Sequence, residues 1–113
     1  MKLFCWNVAG IRARLKKGAL DFLGEGEYDV VCFQETKAEE HEVLVPEQLA
    51  KIYPHRYWRS TQGITQRKGF SGTSIWSKTK PLRELDPPSI DSEGRVTALE
   101  FSTWNLVTVY TPN

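Results

Sequence analysis

Two short apolar runs, LFCWNV (3–8) and DVVCFQE (29–35), bracket a single amphipathic stretch at the start of the chain. Both runs are rich in β-branched and aromatic residues, which reads as two strands. Between them Ile11, Leu15, Ala19, Phe22 and Leu23 recur at helical spacing opposite Arg12, Lys16 and Lys17, which predicts a helix over 11–23 ended by Gly24 and Gly26. Strand, helix and strand within about 35 residues make a βαβ unit, so the two strands should be parallel neighbours. Continuously apolar strands belong inside a sheet covered on both faces. The chain offers one good helix for that cover, and it closes on another apolar strand around Leu106, Val107 and Val109.

The rest reads as short strands. HRYWRS (55–60) alternates, SGTSIWSK (71–78) is entered through a glycine, and RVTALEFS and WNLVTVYTPN form an antiparallel hairpin around Thr103. A short helix is expected from about Pro46, with polar loops over 61–69 and, with three prolines, over 81–94. The expected class is α/β, a mixed β-sheet with few flanking helices. At 113 residues it is one domain at most, burying roughly 65% of its unfolded surface.

A net charge of +1 hides segregation. Residues 1–20 carry five bases and no acid, 21–47 nine acids against Lys37 alone, and 48–83 eight bases and no acid. Such blocks are either solvated faces or a polyanion surface beside a cation site. No apolar run approaches the ~20 residues of a membrane span, and no secretory signal opens the chain, which implies an intracellular protein of cytoplasm or nucleus. Cys5 and Cys32, both placed in buried strands, are expected as reduced thiols.

The chemistry concentrates at strand ends, where α/β proteins bind ligands. The first strand ends at Asn7 and the second at Glu35. An amide and a carboxylate side by side suit a hard cation such as magnesium, which needs one or two carboxylates plus water and a substrate phosphate. Asn7 is equally a turn former before Gly10, and Glu35 an ordinary charge leaving the core. GIRARLKK (10–17) opens the helix, where free N–H groups attract phosphate, or it is a plain polar face. RYW (56–58) interleaves a cation with aromatics, as nucleic-acid surfaces do, or places Tyr57 and Trp58 on opposite strand faces. Tyr110 ends the last strand, where a phenol donates to a phosphoryl oxygen or caps a sheet edge. His41 and His55 have no ligand spacing.

Taken in order, WNVAGIRA, LDFL, FQETK, KGFSGTSIWSK, EGRVTALEF and VYTPN resemble the exonuclease III class of apurinic/apyrimidinic endonucleases, within the endonuclease/exonuclease/phosphatase superfamily. The resemblance runs from residue 2 to residue 113. It implies one half of a four-layer α/β sandwich, with residues 1–113 as the N-terminal half of the domain and the C-terminal half absent. This half would contribute one sheet.

The resemblance also implies roles. Glu35 is similar to the magnesium-binding glutamate, with Mn2+ a substitute, Asn7 to the active-site asparagine beside it, and Tyr110 to the tyrosine on the scissile phosphate. Arg12, Lys17, Tyr57 and Asn113 resemble positions on the DNA backbone, and Arg95 a buried support of the site. The implied substrate is duplex DNA with abasic sites, cut by magnesium-dependent phosphodiester hydrolysis in base excision repair. Ala9 departs from the family pattern, since it has no oxygen where relatives carry Asp or Asn. The GDxN motif and terminal Asp-His pair, which activate water and steady the phosphate, have no counterpart, so an isolated chain should be nearly inactive. The implied partner is a complementary C-terminal half or a second copy of the chain. Rival readings are an inactive DNA-binding or dimerising fragment, and a phosphoesterase acting on RNA or small phosphates.

Overall fold

In the computed structural model, which describes residues 1–61 and 69–112, the elements run β1 (Leu3–Asn7), α1 (Ile11–Lys16), β2 (Val30–Gln34), α2 (Glu47–Ile52), β3 (His55–Arg59), β4 (Thr73–Ser77), β5 (Arg83–Leu85), β6 (Val96–Glu100) and β7 (Asn105–Val109). β1 and β2 pair in parallel, with Leu3 opposite Val30 and Asn7 opposite Gln34. The βαβ expectation therefore holds. The hairpin around Thr103 also forms, as an antiparallel β6–β7 pair.

The strands make two sheets where one was expected. A four-stranded mixed sheet has the order β1-β2-β4-β3, and an antiparallel sheet the order β5-β6-β7. This resolves the shortage of cover. Val31, Phe33 and Trp76 point from the first sheet into a core with Ile11, Leu20, Leu23 and Tyr53, on the helix side. Val30, Cys32 and Ile75 point the other way, against Leu99 and Phe101 of the second sheet. Each large apolar side chain so buried contributes roughly 1.5–3 kcal/mol.

Three local expectations are corrected. The helix over 11–23 stops at Lys16, because Gly18 turns left-handed at φ 74°, and the chain resumes as a 3-10 turn over Asp21–Glu25. The proline-rich segment 81–94 contains β5, which pairs Arg83 with Glu100 and Leu85 with Ala98 on an outer edge, where proline neighbours are tolerated. Cys5 is exposed, since β1 is an edge strand whose inner face lacks cover.

The two sheets are offset by one strand. β7 lies over β2 and β4, and β6 over β3 and β4, which leaves β1 uncovered. Leu3, 49% exposed, and Asn7 share that bare inner face with Cys5. On the outer side of the second sheet Val107 and Val109 are about half exposed.

Candidate active site

Parallel pairing brings the carboxyl ends of β1 and β2 to one rim, and the turn after β2 is tied there on both sides. On one side Val8, Gly10 and Ile11 donate their N–H groups to the carbonyls of Gln34, Glu35 and Thr36, at 3.0, 2.8 and 3.0 Å. On the other, Thr36 and Lys37 donate to the carbonyls of Gly72 and Ser71, at 3.1 and 2.8 Å. Two N–H groups at the start of α1, those of Gly10 and Ile11, are thereby consumed. They are not offered to a phosphate as the sequence had implied.

This stitching holds four non-glycine residues left-handed: Ala9 at φ 47°, Glu35 at 56°, Lys37 at 55° and Ser71 at 58°. Such a conformation is uncommon for residues with a Cβ and costs about 1–3 kcal/mol each. Strain gathered at one rim is a physical sign of function, independent of any motif. The Glu35 carboxylate lies 3.1 Å from the Lys37 ammonium, so this position already holds a cationic group. Asn7, exposed beside it, accepts a hydrogen bond from the Ala9 N–H at 3.1 Å, so the turn-forming reading of Asn7 is realised at the same rim.

The second sheet reaches this rim through buried polar contacts. Gln34 Nε2 donates to Thr108 Oγ1 at 2.7 Å, and Thr73 Oγ1 lies 2.7 Å from Thr97 Oγ1. Tyr110, two residues beyond Thr108, is thus brought to the same end of the sandwich as Glu35. The Tyr110 N–H donates to the Arg95 carbonyl at 2.8 Å, and both residues line an open cavity of about 300 Å³ with Asp91 and Glu93. Arg95 is half-buried and pairs with Glu93 at 2.7 Å, while its Nε is buried with no hydrogen-bond partner among the described residues. The Asp91 carboxylate accepts from the backbone N–H groups of Glu93, Arg95 and Val96, which fixes the loop leading into β6.

Arg12 and Lys17 are exposed on and just after α1, and Arg12 pairs with Glu42 at 3.6 Å. Tyr57 is not brought to the rim. Its ring packs against the inter-sheet core opposite Ile75, and burial, with Glu84 nearby, pushes its phenol up. Asn113 lies outside the described residues. Burial and the neighbouring Cys5 push the Cys32 thiol up to about 12, which keeps it a protonated core group.

Sequence reasoning missed Gln34, Thr73, Thr97 and Thr108, the polar residues that join the sheets. Their signal was present: a neutral amide or hydroxyl on the inward side of an otherwise apolar strand must find a partner. Lys37 was counted as a charge and not as the partner of Glu35. Among the described residues no three His, Cys, Asp or Glu side chains gather as a metal cluster. No helix there is long and apolar enough to cross a membrane.

A family model described as "Endonuclease/Exonuclease/phosphatase family" matches residues 4–112. The chain is 39% identical over 116 residues to "DNA repair nuclease APEX1" of Danio rerio, covering all of this chain and 36% of that protein. It is 42% identical over 118 residues to an "Exodeoxyribonuclease" of Bacillus subtilis, covering all of this chain and 43% of that one. Among solved structures, "an AP Endonuclease from Archaeoglobus fulgidus" superposes with a TM-score of 0.69 at 29% identity, over 97% of this chain and 40% of that one. The chain thus spans well under half the length of these relatives.

Proposed function

Since the chain belongs to the endonuclease/exonuclease/phosphatase family, we propose that it is the N-terminal part of a magnesium-dependent nuclease that hydrolyses phosphodiester bonds at abasic sites in duplex DNA, with 3′ exonuclease activity, in base excision repair. The reading keeps the family's DNA-repair branch because the relatives reported above carry repair-nuclease and exodeoxyribonuclease names. It places the protein inside the cell, in cytoplasm or nucleus, where its substrate is.

The observation that carries the proposal is the strained rim at the ends of β1 and β2 that holds Asn7 and Glu35, with the Gln34–Thr108 bond tying the strand that leads to Tyr110 to the same end. The donor set suits a magnesium ion, with one carboxylate, Glu35, already facing a cationic group, and an amide beside it. Manganese would fit the same oxygens. When bound, the metal would neutralise charge on the scissile phosphate. Glu35 would hold the metal, and Asn7 would orient the groups beside it. The Tyr110 phenol would donate a hydrogen bond to a phosphoryl oxygen. Arg12 and Lys17 would hold the DNA backbone electrostatically, with a salt-dependent contribution. Tyr57, partly buried against the inter-sheet core, would add a contact to the DNA backbone through the part of its ring left accessible. Arg95 supports Tyr110 through its backbone carbonyl.

On this reading the group that activates water comes from outside this segment, and the hydrogen bonds of the described acids and histidines support it. Asp91 is occupied by backbone N–H groups and Glu93 by Arg95. His41 pairs with Glu39, and His55 lies at the far end of β3, opposite Ser77. Lack of a general base typically lowers a rate by 10²–10⁴-fold, so on this reading the chain alone would be nearly inactive. A complementary segment or a second copy would cover β1 and the free edge of β7.

The test is cleavage of a duplex carrying one abasic-site analogue, with magnesium and with chelator, alongside the intact mass of the sample. Nicking that requires magnesium and a second polypeptide supports the proposal. Nicking by the 13.0 kDa chain alone would refute the missing base. Salt-sensitive binding that never leads to cutting, even with a complementing half, would favour an inactive DNA-binding fragment.

A further inference from the structure

Gln34 is a buried amide in a strand whose other four residues are Val30, Val31, Cys32 and Phe33. An uncharged polar side chain enters such a strand at a net loss unless every hydrogen bond is matched. Its two N–H groups are both used. One goes to Thr108 Oγ1 on β7 at 2.7 Å, and the other to Cys5 Sγ on β1 at 3.0 Å. A single side chain on β2 therefore joins three strands from both sheets. Gln34 is 8% exposed and Thr108 4% exposed, so water does not compete effectively for this bond.

The positions of these contacts give them consequence. Glu35 follows Gln34 directly, and Tyr110 lies two residues beyond Thr108, just past the end of β7. A two-residue step along a strand is about 6.6–6.8 Å. The bond between Gln34 and Thr108 is thus a direct polar connection between the chain segments that carry the carboxylate and the phenol. Neither segment is joined to the other through the backbone ladder, since β2 and β7 belong to different sheets. Apolar packing between sheets holds their separation but tolerates sliding, whereas a directed hydrogen bond sets register.

We infer that Gln34 is a positioning residue, whose bridge to Thr108 and Cys5 sets Tyr110 against Glu35 across the two sheets. The inference deepens the nuclease reading and rests on it for the roles of those two residues. Gln34 itself touches no reacting atom. Its effect passes through the left-handed turn at Glu35 on one side and the end of β7 on the other.

The experiment replaces the tyrosines of the full chain with 3-fluorotyrosine and follows fluorine resonances without metal. Tyr110→Phe assigns the signal, while Tyr28 and Tyr53, on the helix side of the first sheet, report whether the fold persists. In Gln34→Leu and in Thr108→Val the Tyr110 resonance should shift toward that of an unstructured tyrosine, with Tyr28 and Tyr53 unmoved. Thr108→Ser, which restores the hydroxyl, should restore the Tyr110 signal. An unmoved Tyr110 in both Gln34→Leu and Thr108→Val overturns the inference, as does a shift in Thr108→Ser equal to that in Thr108→Val. If Gln34→Leu does not fold, the Val and Ser variants at position 108 decide the matter by themselves. Manganese addition tests the parent reading separately. Absence of broadening that depends on Glu35 would remove the metal assignment, and the metal-free result would still decide the positioning role.

Discussion

A Cβ placed on Gly72 would stand 2.2 Å from the Thr36 hydroxyl oxygen, so the turn that presents Glu35 closes only over a residue without a side chain. Gly72 also has φ +94°, a conformation that disfavours any other residue. Gly72→Ala therefore combines backbone strain with displacement of Thr36, and should destabilise the chain by roughly 2–4 kcal/mol. Gly69 is the control. It too is left-handed, but an added Cβ there meets nothing within 4 Å among the described residues, so Gly69→Ala should cost only about 1 kcal/mol. Urea unfolding of the two variants checks the difference, and equal losses would mean that the fit at Thr36 does not matter.

The Thr36 hydroxyl is buried and has no hydrogen-bond partner among the described residues. A buried, unpaired hydroxyl lowers stability by about 1–3 kcal/mol. Thr36→Val keeps the shape and removes the polar atom, so it should leave stability unchanged or raise it by up to about 1 kcal/mol. A clear loss on denaturant unfolding would show that the hydroxyl has a partner, such as an internal water, and that the turn depends on it.

Lys37 competes for the carboxylate that the metal reading requires. Its side chain is 41% exposed and that of Glu35 21% exposed, so the pair is solvent-screened and worth at most about 1 kcal/mol. Lys37→Met should therefore tighten manganese binding by no more than about fivefold. Glu35→Gln should abolish it. Isothermal titration with manganese measures both, and binding that survives Glu35→Gln would place the ion elsewhere.

Much of this geometry was legible before any coordinates, and the remainder was hidden for physical reasons. The parallel β1–β2 pair follows from spacing alone, because no short turn can join parallel strands. That Asn7 and Glu35 share a rim follows from the same fact. The division into two sheets was not legible, because alternation reveals that a face is buried and not what buries it. Strand β5 hid between prolines, and Gly18 cut the helix although the apolar spacing continued past it. Tyr57 carried the local signal of a surface aromatic, and its partial packing against the second sheet is a long-range contact that no local pattern shows. The bond between Gln34 and Thr108 joins residues 74 apart, beyond the reach of any local pattern.

Cys32 makes stability fall at high pH. Its thiol is raised from an ordinary value of 9.0 to about 12 by burial, with Cys5 adding to it. Between those values the unfolded chain releases its proton and the folded chain keeps it, so stability is full below about pH 9 and falls as pH rises toward 12. The limiting slope from one such group is about 1.4 kcal/mol per pH unit. Tyr53 and Tyr57, both raised mainly by burial, act in the same direction at higher pH. Urea unfolding across this range should show the fall in the parent chain and a shallower one in Cys32→Val. An unchanged slope in that variant would assign the fall to the tyrosines.

The bare faces beside β1 and β7 should govern how the chain associates. Among the described residues β7 is an unpaired edge, whose outward residues Val107 and Val109 are 53% and 51% exposed, and Leu3 on β1 is 49% exposed. An apolar strand with a free edge pairs with whatever extended segment it meets. Without a complementing half, the chain should therefore self-associate as concentration rises. Replacing Val107 and Val109 with lysine puts charge on that edge and should keep the chain monomeric. Because both positions are half-exposed, stability should change by only about 0.5 kcal/mol each. Sedimentation velocity across a concentration series reads the outcome. Association that persists in the double-lysine variant would move the contact to the inner face of β1, where Leu3→Lys becomes the deciding substitution.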